Sequence, residues 1–108
     1  MPTIVLRIDP EQLDNPDADL RYKLTDLLTE RSAAITDDGY DYVGEQPLLV
    51  LFLKASKLEA ALACVLDVVE NERVLGNDLQ RAVVVAVRSR NRDKVVYPPG
   101  FAGPFLPE

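Results

Sequence analysis

Apolar residues along this chain form three dense runs and two helically spaced rows, separated by polar, proline-containing or glycine-containing stretches. Thr3-Ile-Val-Leu-Arg-Ile8 is rich in β-branched residues and stops at Asp9-Pro10, which predicts a first strand. Asn15-Pro16 then supplies an N-cap and a first-turn proline, and Leu20, Leu24, Leu27 and Leu28 recur at helical spacing. An amphipathic helix is predicted over 16–31, with Asp17 and Asp19 suited to its positive end. Between Ala34 and Gly44 the pattern weakens, but Tyr40, Tyr42 and Val43 favour a second strand. Gly44-Glu-Gln-Pro47 is a turn into Leu48-Leu-Val-Leu-Phe-Leu53, a third and strongly apolar strand. Ser56 with Glu59 reads as a capping box, and Leu58, Leu62, Val65 and Val69 share one face of a second helix, about 57–73, with Gly76 past its end. Arg81-Ala-Val-Val-Val-Ala-Val-Arg88 predicts a buried fourth strand, and Arg90-Asn-Arg-Asp93 a turn into a short extra strand at Val95-Val96-Tyr97.

The order strand, helix, strand, strand, helix, strand is that of a two-layer ferredoxin-like βαββαβ sandwich. The predicted class is α+β, an antiparallel sheet with two helices on one face. Residues 1–97 are expected to form one α/β domain. Residues 98–108, with Pro98, Pro99, Gly100, Gly103, Pro104 and Pro107, form an extended tail. Both faces of the third strand are apolar, Leu48/Val50/Phe52 and Leu49/Leu51/Leu53, so the face away from the helices needs a cover. Phe101, Phe105 and Leu106 of the tail are candidates for that role, and so is a second copy across a two-fold axis. The first cover implies a monomer and the second a homodimer.

Charge adds an asymmetry. Residues 1–54 hold 11 acids and 5 bases, residues 55–108 hold 7 of each, and the net charge is −6. Nucleic acid is a poor partner for such a chain, because phosphate neutralisation needs clustered Lys and Arg. A basic protein is electrostatically favoured. In the predicted topology one end of the domain collects Asp9, Glu11, Asp14, Asp17, Asp19, Asp41, Glu45, Glu70, Glu72 and Asp78. The other collects Arg31, Lys54, Lys57, Arg88, Arg90, Arg92 and Lys94. Such a dipole orients an approaching partner, although helix ends and wet loops attract the same charges without any functional reason.

Catalytic chemistry is hard to assemble from these residues. There is no histidine, which removes Ser-His and Cys-His mechanisms. Cys64, flanked by Ala63 and Val65 in the second helix, reads as a core residue rather than a thiolate nucleophile. Neither a zinc spacing nor a glycine-rich phosphate loop is present, and the acidic stretches 14–19 and 37–41 lack the ligand pattern of a calcium loop. No cofactor, metal or catalytic residue is expected. The lone cysteine and the interruption of the first apolar run by Arg7, Asp9 and Pro10 fit a cytoplasmic protein without a secretory leader. The run 48–53 is too short to cross a bilayer.

The expected function is a non-catalytic protein-binding module of the immunity or inhibitor kind, masking a basic partner such as a nuclease-type toxin. Asp37, Asp38, Tyr40, Asp41, Tyr42 and Glu45 are the candidate partner-binding residues, because rigid aromatic surface beside charge suits recognition. Simple packing of the tyrosines along an edge strand is the competing account. The alternative function is a small-molecule-binding regulatory domain acting as a homodimer.

Overall fold

In a computed structural model that describes residues 2–16, 18–101, 103, 105 and 106, the chain is an α+β protein with two α-helices and a five-stranded sheet. The strands are β1 (Thr3–Ile8), β2 (Ile35–Val43), β3 (Leu48–Ala55), β4 (Arg73–Val74), β5 (Asn77–Asp78), β6 (Val83–Ser89) and β7 (Arg92–Tyr97). The helices are α1 (Leu20–Arg31) and α2 (Leu58–Asn71). The large sheet has the order β2-β3-β1-β6-β7 with every neighbouring pair antiparallel, while β4 and β5 form a small separate hairpin. Of the residues invoked above, Asp17, Pro104 and Pro107 lie outside the described ones.

Alternation along the strands sorts the core into two layers. Ile4, Leu6 and Ile8 of β1, Leu49, Leu51 and Leu53 of β3, and Val83 and Val85 of β6 all turn to one side. There they meet Leu20, Leu24 and Leu28 of α1 and Ala61, Val65 and Val68 of α2, so both helices pack on the same face. The buried row of α2 is rotated from the expected one. Ala61, Val65, Val68 and Val69 are buried, whereas Leu58 and Leu62 are only partly so.

The opposite face carries Val5, Val50, Val84 and Ala86, and the chain beyond β7 crosses it. Phe105 is buried there at 8% exposure, with Phe101, Leu106, Phe52 and Val95 packed around the same cluster. Arg7, central on this face, donates from Nη1 to the Phe105 carbonyl at 2.7 Å. Its guanidinium also lies 5.1 Å from the ring centroid of Phe101 and 5.9 Å from that of Phe105.

Element boundaries depart from the expectations where side chains found other partners. Helix α1 begins at Leu20, four residues later than predicted, and Asn15 is not its cap. Asn15 instead pairs with Asn77 of β5. Its backbone N donates to Asn77 Oδ1 at 2.6 Å, its carbonyl accepts from Asn77 Nδ2 at 2.8 Å, and its own Nδ2 donates to the Leu75 carbonyl at 3.1 Å. Ser56 does not close a capping box either, since its backbone N donates to the Ala34 carbonyl at 2.9 Å and α2 starts one residue further on. Strand β7 is longer than expected, because Arg90 and Asn91 at φ 52° and 64° make a two-residue turn that pairs Arg92 with Ser89.

The charge separation is also weaker than the linear reading implied. Arg31 and Glu72, assigned to opposite ends, lie 2.5 Å apart, and Asp67 stands 3.8 Å from the same guanidinium. The last turn of α2 lies beside the end of α1, which a list of loop ends cannot convey. Arg73 stands 3.7 Å from Asp14, drawing that carboxylate into an ion pair as well.

Candidate functional site

Strand β2 is an edge of the sheet, and its residues are almost all exposed. Strict alternation would place Ile35, Asp37, Gly39 and Asp41 on the helix side and the tyrosines on the other. A β-bulge prevents this. Asp37 pairs with Leu53 but Tyr40 pairs with Leu51, so one extra residue is accommodated between them. Gly39 takes φ 97°, a conformation that favours glycine, and its N–H donates to Asp37 Oδ1 at 2.8 Å. From Tyr40 onward the phase is reversed. Tyr40 and Tyr42 then face the same side as Leu51 and Leu49, toward α1.

Helix α1 meets them with Arg21 and Tyr22. Tyr22 and Tyr40 are edge-to-face at 6.0 Å between centroids, and Tyr40 and Tyr42 repeat that geometry at 6.0 Å. The Arg21 guanidinium lies 4.5 Å from the Tyr22 centroid and 5.1 Å from that of Tyr40, and its Nη1 donates to the Tyr42 hydroxyl at 3.2 Å and the Ala18 carbonyl at 3.0 Å. Despite these contacts Tyr22, Tyr40 and Tyr42 remain 49%, 44% and 45% exposed. The cluster is a fixed aromatic surface with its outward side in water.

Two hollows adjoin this surface at the end of the sheet where β1 stops. After Ile8, the Asp9 N–H donates to the Ala82 carbonyl at 2.9 Å and the Asp9 carboxylate accepts from the Glu11 N–H at 3.0 Å, winding Pro10–Gln12 into a single 3-10 turn. Beneath this turn is an apolar cavity of about 210 Å³ lined by Ile8, Pro10, Leu13, Leu20, Tyr42 and Leu49, among others. Beside it, and sharing Pro10, a second depression of about 310 Å³ lies between Asp9 and Glu11 on one side and Glu45, Gln46 and Pro47 on the other. The Asn15–Asn77 pair ties the far wall of this region to the β4–β5 hairpin.

The six predicted site residues therefore divide. Tyr40 and Tyr42 come together with Arg21 and Tyr22, and Glu45 joins Asp9 and Glu11. Asp41 pairs with Val50 on the opposite face, accepting from the Tyr42 N–H at 2.8 Å. Asp37 serves the bulge, and Asp38 lies 3.8 Å from Lys54, toward the other end of the strand. Arg21 and Tyr22 escaped the linear reading because their partners are about twenty residues away. The available signal was Tyr22 itself, a large aromatic placed off the Leu20/Leu24/Leu28 stripe.

Titration behaviour follows from these contacts. Arg21 beside it lowers the Tyr22 phenol below its ordinary value of 10.0, whereas the neighbouring Tyr22 hydroxyl raises Tyr40 above its own. Tyr22 should lose its proton first on raising the pH, with Tyr40 following at higher pH. Removing the cation in Arg21→Ala should move the Tyr22 step to higher pH and narrow the separation, leaving the part that the Tyr22–Tyr40 hydrogen bond imposes, as read by phenolate absorbance. A single unsplit step in the unaltered protein would contradict the geometry. Burial raises the Cys64 thiol above its ordinary value, which disfavours the thiolate.

Comparison of the chain with family models, with curated proteins and with solved structures finds no match. Among the described residues no helix is long and apolar enough to cross a membrane, and no three Asp, Glu or Cys side chains gather to hold a metal ion.

Proposed function

We propose that this protein is a non-catalytic binding module that masks a basic protein partner, in the manner of an immunity or inhibitor protein. The observation that carries the reading is the half-exposed Tyr22–Tyr40–Tyr42 cluster, locked by Arg21, whose Tyr42 lines a hollow that meets at Pro10 the depression holding Asp9, Glu11 and Glu45. Aromatic rings already held in one arrangement lose little side-chain entropy on docking, which is why tyrosine so often anchors interfaces. Among the described residues no ion pair joins Glu11 or Glu45 to a cation, so their field is free to steer a basic surface. Cytoplasmic residence belongs to the same reading and suits a lone protonated thiol.

The strand order supports a ferredoxin-like arrangement for the part of the chain through β6. Read from β6 to β2, these four strands run fourth, first, third, second in chain order once the β4–β5 hairpin is set aside, as two split βαβ units require. Strand β7 then adds a fifth member at the edge. Phe105 occupies the sheet face that a face-to-face homodimer would use, which favours a monomer binding a different protein.

Capture from the native lysate, at low and high salt, tests the reading. A basic partner should be retained by the unaltered protein and released by salt. Tyr40→Ala should weaken retention by roughly tenfold or more, as truncation of an aromatic hot spot does, and Glu45→Lys should remove much of the salt dependence. Lys57→Glu, at the other end of the domain, should leave retention unchanged. Equal retention by the Tyr40 and Glu45 variants would overturn this assignment.

A further inference from the structure

We propose that the 210 Å³ hollow under the Pro10–Gln12 turn receives one aliphatic side chain of the protein partner, with a lysine or arginine beside it engaging Asp9, Glu11 and Glu45. This rests on the binding-module reading and specifies its chemistry. The hollow has the right size for the purpose. Apolar cavities of roughly 150 Å³ hold benzene, so 210 Å³ accommodates a leucine or isoleucine side chain.

Its lining is equally selective. Ile8, Leu20 and Leu49 belong to the fixed core and form the floor, while Pro10, Leu13 and the Tyr42 ring supply the walls. Burying an apolar side chain there removes surface from water at both partners without disturbing the core. A polar head could find little to bond. Immediately across Pro10, the second depression presents Asp9, Glu11 and Glu45, which favour a cation one or two residues from the apolar anchor.

Other occupants fit less well. The apolar residues after β7 pack on the opposite face of the sheet, so this chain's own Phe101, Phe105 and Leu106 are committed elsewhere. A second copy meeting this one across a two-fold axis would bring the same acidic patch, with its Glu11 and Glu45, against this one, and like charges oppose association. Charge and shape together select a cationic, aliphatic segment of a different protein.

The test is nuclear magnetic resonance titration of the full ¹⁵N-labelled chain with three capped peptides, Lys-Leu-Lys, Lys-Ala-Lys and Ser-Leu-Ser. Lys-Leu-Lys should give saturable shifts at the amides of Leu13, Leu20, Tyr42 and Leu49. Lys-Ala-Lys should bind roughly 10- to 50-fold more weakly, the ratio expected for losing about three buried carbons. Ser-Leu-Ser should bind severalfold more weakly than Lys-Leu-Lys and without salt dependence. Ala18→Phe, at an exposed position on the rim, should fill the hollow and abolish the leucine preference while other resonances stay in place. Equal affinity for the Leu and Ala peptides would reduce the site to charge alone and overturn the proposal. Equal affinity for the neutral peptide would make it a site for uncharged ligands, and concentration-dependent shifts without peptide would assign it to a second copy. Either result also overturns it. Loss of the leucine preference together with lysate capture still sensitive to Tyr40→Ala would remove the anchor and leave the binding module standing. Capture indifferent to both Tyr40→Ala and Glu45→Lys would remove the module itself.

Discussion

Replacing Phe105 by alanine should lower the free energy of unfolding by about 3 kcal/mol, the lower part of the range for a buried phenylalanine. The ring is 8% exposed and packs on Val5, Val50, Val84 and Ala86, which have no helix on their side of the sheet. Truncation leaves these side chains facing water or a void, and both outcomes cost transfer energy and dispersion contacts. The Arg7 bond to the Phe105 carbonyl loses its fixed geometry at the same time. Urea unfolding gives the magnitude, and binding of an apolar dye gives the cause, since dye uptake should rise as the face opens. A loss below about 1 kcal/mol would mean that the ring adds little to this layer.

Asn77→Ala carries the second large effect, about 2 kcal/mol, and a melting temperature roughly 10 °C lower for a domain of this size. Asn77 is fully buried and uses both ends of its amide on the main chain of Asn15, imitating a strand pairing across sixty-two residues. Alanine would remove both bonds at once and leave the buried space of the amide unfilled, so the main chain of Asn15 loses its anchor on the hairpin. The loss should be local as well as global. Hydrogen exchange at residues 13–15 should accelerate more than exchange in β1 or β3, because this pair holds the loop between β1 and α1 in place. Uniform acceleration would show that Asn77 acts through the whole fold instead.

How much of this was readable beforehand depends on whether a residue's surroundings are local. Strands β1, β3 and β6 announce themselves by β-branched and leucine runs, because a strand buried on both sides must be apolar throughout. The need to cover the second face of β3 follows from the same runs. By contrast Ile35-Thr-Asp-Asp-Gly39 carries no strand pattern, and becomes one only because β3 offers it a partner. Arg92-Asp-Lys94 is similar, drawn into β7 by the turn at Arg90 and Asn91.

The candidate site divides along the same line. Tyr40, Tyr42 and Glu45 stand out as rigid aromatics and charge near a turn. The partition of their neighbours does not, since a single bulge decides which side of the strand each residue faces. Arg21, Tyr22 and Asn77 were invisible for a related reason: each does its work through a contact far along the chain. Arg31 shows the limit most plainly, because the loop order alone puts it at the opposite end of the domain from a glutamate that it touches.

The bulge at Gly39 has a second consequence, for self-association. An outer strand offers a row of unsatisfied N–H and carbonyl groups that any extended segment can continue, and flat, regular edges are where sheets join into fibres. Strand β2 is long enough to be such a template, but its repeat breaks between Asp37 and Tyr40 and resumes out of phase. An incoming strand could match one half or the other, never the full length. The same extra residue that turns two tyrosines toward α1 thus denies this edge of the sheet a continuous seam along which copies of the molecule could polymerise.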